Sequence, residues 1–444
     1  MASDRRNLFW TLAHIGLGLV CTLSPFALIG WFYFILFTNF FKANSLLQKR
    51  KPAFFFMLFS YLISFELLDR MAKTSPFVPF EVGKYFLVLA GILGIIAVGV
   101  RYNIGIWMAV LVTPAVFYDF SGIRPSYDII NTYLAPLAVG LGIAFAYRLS
   151  ITYSQFNQIL KFIWWASLAS LVFTYIKTPD FENISFTLKA NSDTTAGHSS
   201  NQVSTVLGLG MFLSFYSVFK RLNFSGNRTL DFAILFGFTF QGLLSFSRGG
   251  MLVGVVGILM LLFVGESITN KSNRNTSLII GLVSLIALYG AFEIANTITR
   301  GNLLLRYQGE TAGTMRGTKE LTVDHFVTGR LGIFEDDFNL WIKYPITGVG
   351  SGTSRFLRDP DRIGVAAHVE LSRLLADHGL LGLVYSLIFF VQFPYKIFKA
   401  NEKSTHRVIL LALVAIAILS TFHAAMRTYV TPLFIILGVL KIKE

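Results

Sequence analysis

Charged residues are scarce in this chain: they make up 14% of its 444 residues, while hydrophobic residues make up 54%. Soluble domains carry about one quarter charged residues, so this composition excludes an ordinary soluble fold. Cysteine is scarcer still. Cys21 is the only one, which excludes an intrachain disulfide framework. No basic cluster is interleaved with a recognition motif, so the net charge of +14 does not predict nucleic-acid binding.

Apolar runs of membrane-spanning length recur along the whole chain. Strands of a membrane barrel would alternate polar and apolar residues, so these runs predict an all-α polytopic membrane protein with about 12 to 14 transmembrane helices. Arg5 and Arg6 precede the first run, but no small-residue cleavage site follows, so we expect that helix to be retained. The expected helices cover approximately residues 8–23, 26–41, 53–69, 85–100, 104–118, 129–147, 159–176, 202–219, 231–245, 250–264, 277–295, 378–393, 408–422 and 428–440.

The distribution of Lys and Arg predicts the topology. With a cytoplasmic N-terminus, about nineteen of these residues fall in inner loops and about eight in short outer loops, which is the positive-inside asymmetry. Both termini are then cytoplasmic. The inner group includes Lys49, Arg50, Arg101, Arg148, Lys396, Lys399, Lys403, Lys441 and Lys443.

Residues 296–377 carry many charges and no spanning-length apolar run, so we expect a small extracytoplasmic, periplasmic subdomain there. Residues 1–295 and 378–444 would be the membrane helices on either side of it. Within the loop, Phe334, Phe338 and Trp341 recur at helical spacing, which predicts a helix from Arg330 to Lys343. The Tyr344-Pro345 pair should end this helix, and the glycines of GVGSGT, residues 348–353, should make a turn rather than a phosphate-binding loop.

Two arginines are candidates for binding a phosphate group. Arg248 lies in SFSRGGML, residues 245–252, between two apolar runs, and should be held at the outer membrane boundary. Its guanidinium could bind two phosphate oxygens, with the Gly249-Gly250 backbone close by; a snorkelling arginine is the alternative. Arg330 starts the loop helix on the same predicted side, and its alternative role is a salt bridge with Glu335 or Asp336. Two arginines on one face suit a diphosphate.

His368 and Glu370 precede the helix expected at residues 378–393. Because imidazole titrates near neutral pH, His368 could accept the proton of an attacking hydroxyl, with Glu370 orienting it. A capping or interfacial histidine is the alternative, and His378 is expected to pack in the apolar run. Arg427 and His423 fall on the outer side and could extend a cationic site or anchor the last helices.

Together these motifs resemble those of the O-antigen ligase and polymerase superfamily. The resemblance rests on SRGG between helices, the Arg-containing loop helix with its Trp, Pro and GxG turn, and the His before a leucine-rich segment, over residues 201–383. It implies a GT-C-like glycosyltransferase of the bacterial inner membrane that uses an undecaprenyl-diphosphate-linked glycan and no cofactor or metal. Arg248 and Arg330 would bind the donor diphosphate, His368 would activate the acceptor, and Asn201 and His198 of HSSNQ could line the cleft. Val369 follows His368 where many members of the superfamily have Asn, so the identity of the catalytic base stays open.

The motifs do not determine which molecule accepts the glycan either. A ligase would attach O-antigen to lipid A core in lipopolysaccharide biosynthesis, a polymerase would join glycan units, and a third class modifies protein hydroxyls; we favour the ligase. A transporter or flippase for the same lipid-linked glycan is the main alternative to an enzyme. The Asp359-Pro-Asp361 pair could hold a metal, but pairing with the neighbouring Arg355, Arg358 or Arg362 is the simpler expectation.

Overall fold

The computed structural model describes residues 2–48, 51–263, 271–318, 320, 330–401, 404 and 406–443. The expected inner residues Lys49, Arg50 and Lys403 lie outside this set, and so do residues 319 and 321–329 of the expected outer loop. The described chain is mostly helical.

The helices of the first half are α1 (Ala2–Cys21), α2 (Phe26–Gln48), α3 (Pro52–Ser64), α4 (Glu66–Ala72), α5 (Val82–Val98), α6 (Asn103–Val112), α7 (Ser126–Ala146), α8 (Tyr153–Lys177) and α9 (Ser200–Phe219). Those that follow are α10 (Arg228–Leu244), α11 (Arg248–Phe263), α12 (Lys271–Ile298), α13 (Asn302–Tyr307), α14 (Ala312–Met315), α15 (Arg330–Lys343), α16 (Glu370–Leu387), α17 (Phe393–Ala400), α18 (Arg407–Ser420) and α19 (Val430–Gly438). A π-helical turn, Ile388–Gln392, joins α16 to α17. The two strands of the described chain are β1 (Ser150–Thr152) and β2 (Lys441–Lys443).

Several of these helices are long and apolar enough to cross a membrane. In the described residues seven segments qualify: Phe26–Ala43, Pro52–Ala72, Ser126–Ala146, Tyr153–Lys177, Ser200–Phe219, Ile279–Ile298 and Glu370–Ala400. Four shorter apolar helices accompany them: Val82–Val98, Asn103–Val116, Arg248–Phe263 and Arg407–Ser420. The expected architecture of apolar, membrane-type helices is therefore found, while the count of 12 to 14 spans stays a prediction.

The chain forms two compact units. The first comprises Met1–Ala43, Phe56–Phe80 and Tyr153–Phe326. Its centre is α9, whose apolar segment is entirely buried and packs against α8, α10, α11 and α12. Gly250 of α11 lies so close to the backbone of Ser204 that a Cβ there would clash. Gly250 thus serves the packing of α9 on α11, and the smallest side chain permits this close approach.

The second unit comprises Asn44–Phe55, Glu81–Thr152 and Val327–Glu444. In it α7 packs against α5, α6 and α19, and α15 packs against α16. Strands β1 and β2 pair in parallel, with Ile151 opposite Ile442. The division expected at residues 296 and 377 stays a prediction. Whether residues 296–377 face away from the cytoplasm stays a prediction.

The expected helix from Arg330 to Lys343 is confirmed as α15. The helix after His368 begins at Glu370 rather than at residue 378, and Gly379 interrupts it with φ 58° and ψ −131°. The glycine turn supplies hydrogen-bond donors to the helix carbonyls next to this interruption. The N–H of Val349 donates to Ala376 O at 2.9 Å, and the N–H of Gly350 donates to Asp377 O at 3.0 Å. GVGSGT is therefore a turn that satisfies the carbonyls of a broken helix, as expected.

Candidate functional site

The second unit brings His368 and Arg427 together. Arg427 Nη2 lies 2.9 Å from His368 Nδ1. Because a guanidinium carries only donors, Nδ1 accepts this bond and its lone pair is occupied. The ring also hydrogen bonds the backbone of His423. The imidazole is thus held on both sides in its neutral form.

Burial and positive charge keep this imidazole neutral. Burial, and after it the charges of Arg427 and Arg330, lower the pKa of His368 to about 3, while its bond to the His423 backbone acts in the opposite direction. The pKa of His423 is likewise lowered to about 3, mainly by burial and then by Arg330. We call Arg330, His368, His423 and Arg427 the histidine cluster. It concentrates two permanent positive charges beside two uncharged imidazoles.

A short turn between α18 and α19 positions the cluster. Arg427 Nε donates to Ala424 O at 3.0 Å, and the N–H of Ala425 donates to His368 O at 3.1 Å. Ala425 adopts a left-handed conformation, with φ 51°. Such a conformation is uncommon for a residue with a Cβ, and it persists only where surrounding contacts fix it.

Glu370 supports this turn. Its carboxylate is fully buried, forms an ion pair with Arg373 and accepts the N–H of Met426 at 3.0 Å. Its own N–H donates to Thr421 O at 2.9 Å. These contacts give Glu370 a structural role in holding the turn, and its expected role in orienting His368 stays a prediction.

Arg330 is the first residue of α15, and two acids on that helix, Asp336 and Asp337, are engaged by other arginines. Asp336 accepts from Arg362 at 2.6 and 2.8 Å, so the expected alternative of an Arg330–Asp336 bridge is replaced by this pair. Asp337 is fully buried and accepts from Arg358 at 2.8 and 3.2 Å. Arg362 also binds Asp359 at 2.6 Å, which agrees with the expectation that an arginine pairs this acid.

The first unit contains the other candidate arginine. Arg248 is buried and donates from Nη1 to Arg306 O at 2.9 Å. Arg306 in turn donates to Phe246 O at 3.4 Å and to Leu188 O at 2.9 Å. These reciprocal bonds fix SFSRGG to α13 and to the loop around Leu188. Nothing in the sequence pattern had singled out Arg306, although it is a charge in the otherwise apolar run LLLRY.

Two features make the SFSRGG segment unusual. Phe246 has φ 53° although it is bulky, and it is fully buried against Phe186, with ring centroids 5.6 Å apart. Ser247 Oγ donates to Asn201 Oδ1 at 2.8 Å, so Asn201 lies beside the segment, and its role in lining a donor cleft stays a prediction. Strained backbone of this kind concentrates at functional sites, and here it lies two residues before Arg248.

His198 belongs to a separate polar network in the first unit. Its Nε2 lies 3.3 Å from Gln202 Oε1, and Gln202 accepts from Arg70 Nη1 at 2.7 Å. Arg70 is buried, pairs with Glu66 at 2.8 Å and lies over the ring of Phe80. Burial and the charge of Arg70 lower the pKa of His198, against the effect of its bond to Gln202. Arg70 and Gln202 were missed because each lies at the edge of an apolar run, where a polar residue is ordinary.

The expected site residues thus fall into three groups. Arg330, His368 and Arg427 share the histidine cluster, with Glu370 supporting it. Asn201 and Arg248 flank Ser247, and His198 lies in the Arg70 network. No family model, curated protein or solved structure matches this chain.

Proposed function

We propose that this protein is a membrane glycosyltransferase that moves a glycan from undecaprenyl diphosphate to an acceptor hydroxyl at the periplasmic face. Among such enzymes we favour an O-antigen ligase with lipid A core as the acceptor. The observation that carries the proposal is the histidine cluster, in which a neutral imidazole lies against a guanidinium. This combination suits a reaction between an anionic leaving group and a hydroxyl nucleophile.

The positive charge of the cluster suits an anionic ligand. Arg330 and Arg427 are permanently charged and both are partly accessible to solvent. A diphosphate has the oxygens and the charge to bind two guanidiniums.

Binding of that anion would also activate His368. Arg427 occupies the Nδ1 lone pair, so His368 cannot accept a proton there while this bond is in place. A diphosphate oxygen that draws the guanidinium of Arg427 away would free Nδ1. Its negative charge would also offset Arg427 and Arg330, two of the causes that lower the pKa of His368. The base would then become competent only when the donor is bound.

The reaction is a single displacement. The acceptor oxygen bonds to the anomeric carbon, its proton passes to His368 Nδ1, and the bond from that carbon to the diphosphate oxygen breaks. Undecaprenyl diphosphate leaves with the electron pair, stabilised by the arginines. A single displacement inverts the anomeric centre, so an α-linked donor should give a β-linked product by NMR. The role predicted for Arg248 as a diphosphate ligand is tested separately by substitution.

A transporter for the same lipid-linked glycan is the second candidate. Glu66 and Asp69 are buried acids in the candidate span Pro52–Ala72, and ionisable groups inside a membrane often line a transport path. Glu66 pairs with Arg70, which favours a structural role for it.

The glycan profile of a deletion strain separates these candidates. For a ligase, all ladder bands of lipopolysaccharide should disappear while polymer accumulates on undecaprenyl diphosphate. Lipid A core capped by one repeat unit would identify a polymerase instead. Accumulation of single lipid-linked units on the cytoplasmic side would identify a transporter.

A further inference from the structure

A cavity of about 290 Å³ lies in the second unit beside β2, apart from the histidine cluster. The basic residues that line it are Arg148, Lys441 and His406, and the neutral polar residues Asn401 and Ser404 line it as well. None of the described residues that line it is acidic. The cavity therefore combines positive charge with neutral hydrogen-bonding groups, which is the composition of an anion site.

The backbone around this cavity is fixed. The N–H of Arg148 donates to Val439 O at 2.8 Å, and that of Lys441 donates to Leu149 O at 3.0 Å. Arg148 adopts a left-handed conformation, with φ 53°, which is uncommon for arginine. Pairing of Ser150 with Lys441 at the start of β1 and β2 continues these bonds. The two basic residues are thus held by the same short piece of structure.

Further positive charge lies next to the cavity. Arg101 donates to the carbonyls of Tyr147 and Arg148 at 3.0 and 3.3 Å. Lys396 Nζ lies 4.9 Å from the centroid of the Tyr102 ring. The charge pattern of the sequence predicts that this end of the protein faces the cytoplasm.

We infer that this cavity binds the phosphate of an anionic headgroup, with Arg148 and Lys441 as its charged ligands. Basic pockets at the cytoplasmic ends of membrane helices face the anionic leaflet and suit such headgroups. Ile397, Val439 and Leu440 form the apolar part of the wall and suit the glycerol or acyl part of a phospholipid. A soluble phosphate ester offers the same phosphate without that apolar part.

Thermal unfolding of the purified full-length chain in neutral detergent tests this site. The probes are phosphatidylglycerol, phosphatidylcholine and glycerol 3-phosphate. Phosphatidylglycerol should raise the Tm and phosphatidylcholine should not. A shift with phosphatidylglycerol alone identifies a lipid ligand, and a shift with glycerol 3-phosphate as well shows that the phosphate suffices. The absence of a shift with either phosphate probe would overturn the inference.

Variants locate the effect. In R148Q/K441Q the phosphatidylglycerol concentration for half of the shift should rise by about tenfold or more, because two charge-assisted contacts are lost. The matched control K399Q/K443Q removes the same charge from exposed residues that do not line the cavity, and should stay close to wild type. If R148Q/K441Q fails to fold, Ala400→Phe takes its place, because it fills the cavity and keeps its charge. This variant must show the same rise in the phosphatidylglycerol concentration for half of the shift. An equal rise of that concentration in the control and in the cavity variants would contradict binding at this cavity.

Discussion

Arg427 donates to Nδ1 of His368 at 2.9 Å, and this bond determines the tautomer of the imidazole. A neutral ring that accepts at Nδ1 carries its proton on Nε2. While this bond is in place, His368 has no free ring nitrogen to accept a proton and cannot act as a base. This relationship leads to the first two predictions.

His368 should not titrate near neutral pH in the ligand-free protein. Its pKa is lowered to about 3, so the ring stays neutral down to about pH 4. NMR of ring-labelled histidine should show no shift of the His368 signal between pH 5 and 8. In Arg427→Gln the pKa should rise towards 6.5 but stay below it, because burial, the largest cause, remains. A wild-type signal that titrates near 6.5 would contradict the neutral, arginine-bonded state.

Acid should destabilise the fold through His423. Its folded pKa of about 3 is depressed below the unfolded value of 6.5, so the unfolded state binds more protons in between. The stability it contributes is present above pH 6.5 and is lost as pH falls towards 3. Between pH 7 and 5 this amounts to at most about 2 kcal/mol. The drop in Tm over that range should be smaller in His423→Leu than in wild type; an equal drop would show that His423 does not contribute.

Lysine at Arg248 or Arg330 should abolish transfer. Lysine keeps the charge but lacks the planar fork that binds two phosphate oxygens, so we expect activity to fall by about 100-fold or more. Arg362→Lys is the matched control, because Arg362 pairs with Asp336 and Asp359 on the same loop. Glycan transfer by each purified variant is the measurement, with Tm as the check on folding. Near-normal transfer by R248K and R330K would rule out the diphosphate role.

Two neighbouring acids of α15 should differ in their contribution to stability. Asp337→Ala leaves Arg358 buried and unpaired, which costs about 3 to 5 kcal/mol. Asp336→Ala breaks a pair whose arginine is 33% exposed, which costs about 1 kcal/mol or less. Thermal unfolding in detergent should therefore rank D337A well below D336A. The reverse order would mean that the α15 packing does not depend on the buried pair.

Transfer should persist in EDTA. Two guanidiniums can neutralise the leaving diphosphate in place of a divalent ion, and Asp359 is already paired with Arg362. Assay of chelated protein should give the untreated rate. Restoration of a lost rate by added magnesium or manganese would instead make Asp359 and Asp361 metal ligands.

Long apolar runs made much of the fold predictable. The runs expected at 129–147, 159–176 and 202–219 became α7, α8 and α9 with ends shifted by a few residues. Helix α15 was predictable to the residue because its aromatic spacing and the Tyr344-Pro345 pair mark both ends. The start of α16 was not, because Asp377, His378 and Gly379 resemble a loop before an apolar run. The glycine turn that satisfies the break at Gly379 lies far away in sequence.

The sequence predicted most residues of the candidate site but not the hydrogen bonds and ion pairs between them. Arg427 was only a possible contributor, because its contact with His368 joins positions far apart in the chain. Glu370 follows His368 closely in sequence, yet its carboxylate binds Arg373 and Met426. Arg306 contacts SFSRGG through backbone carbonyls, and such contacts leave no pattern in the side-chain sequence.

Reconstituted transfer tests the central claim most directly. Purified protein in liposomes would receive an undecaprenyl-diphosphate-linked glycan and lipid A core, with His368→Gln and Arg427→Gln as matched variants. We predict that the wild-type protein attaches the glycan to lipid A core and releases undecaprenyl diphosphate, while both variants lose this activity but keep their Tm in neutral buffer. Movement of the lipid-linked glycan across the bilayer with no covalent product would contradict the account and identify a transporter.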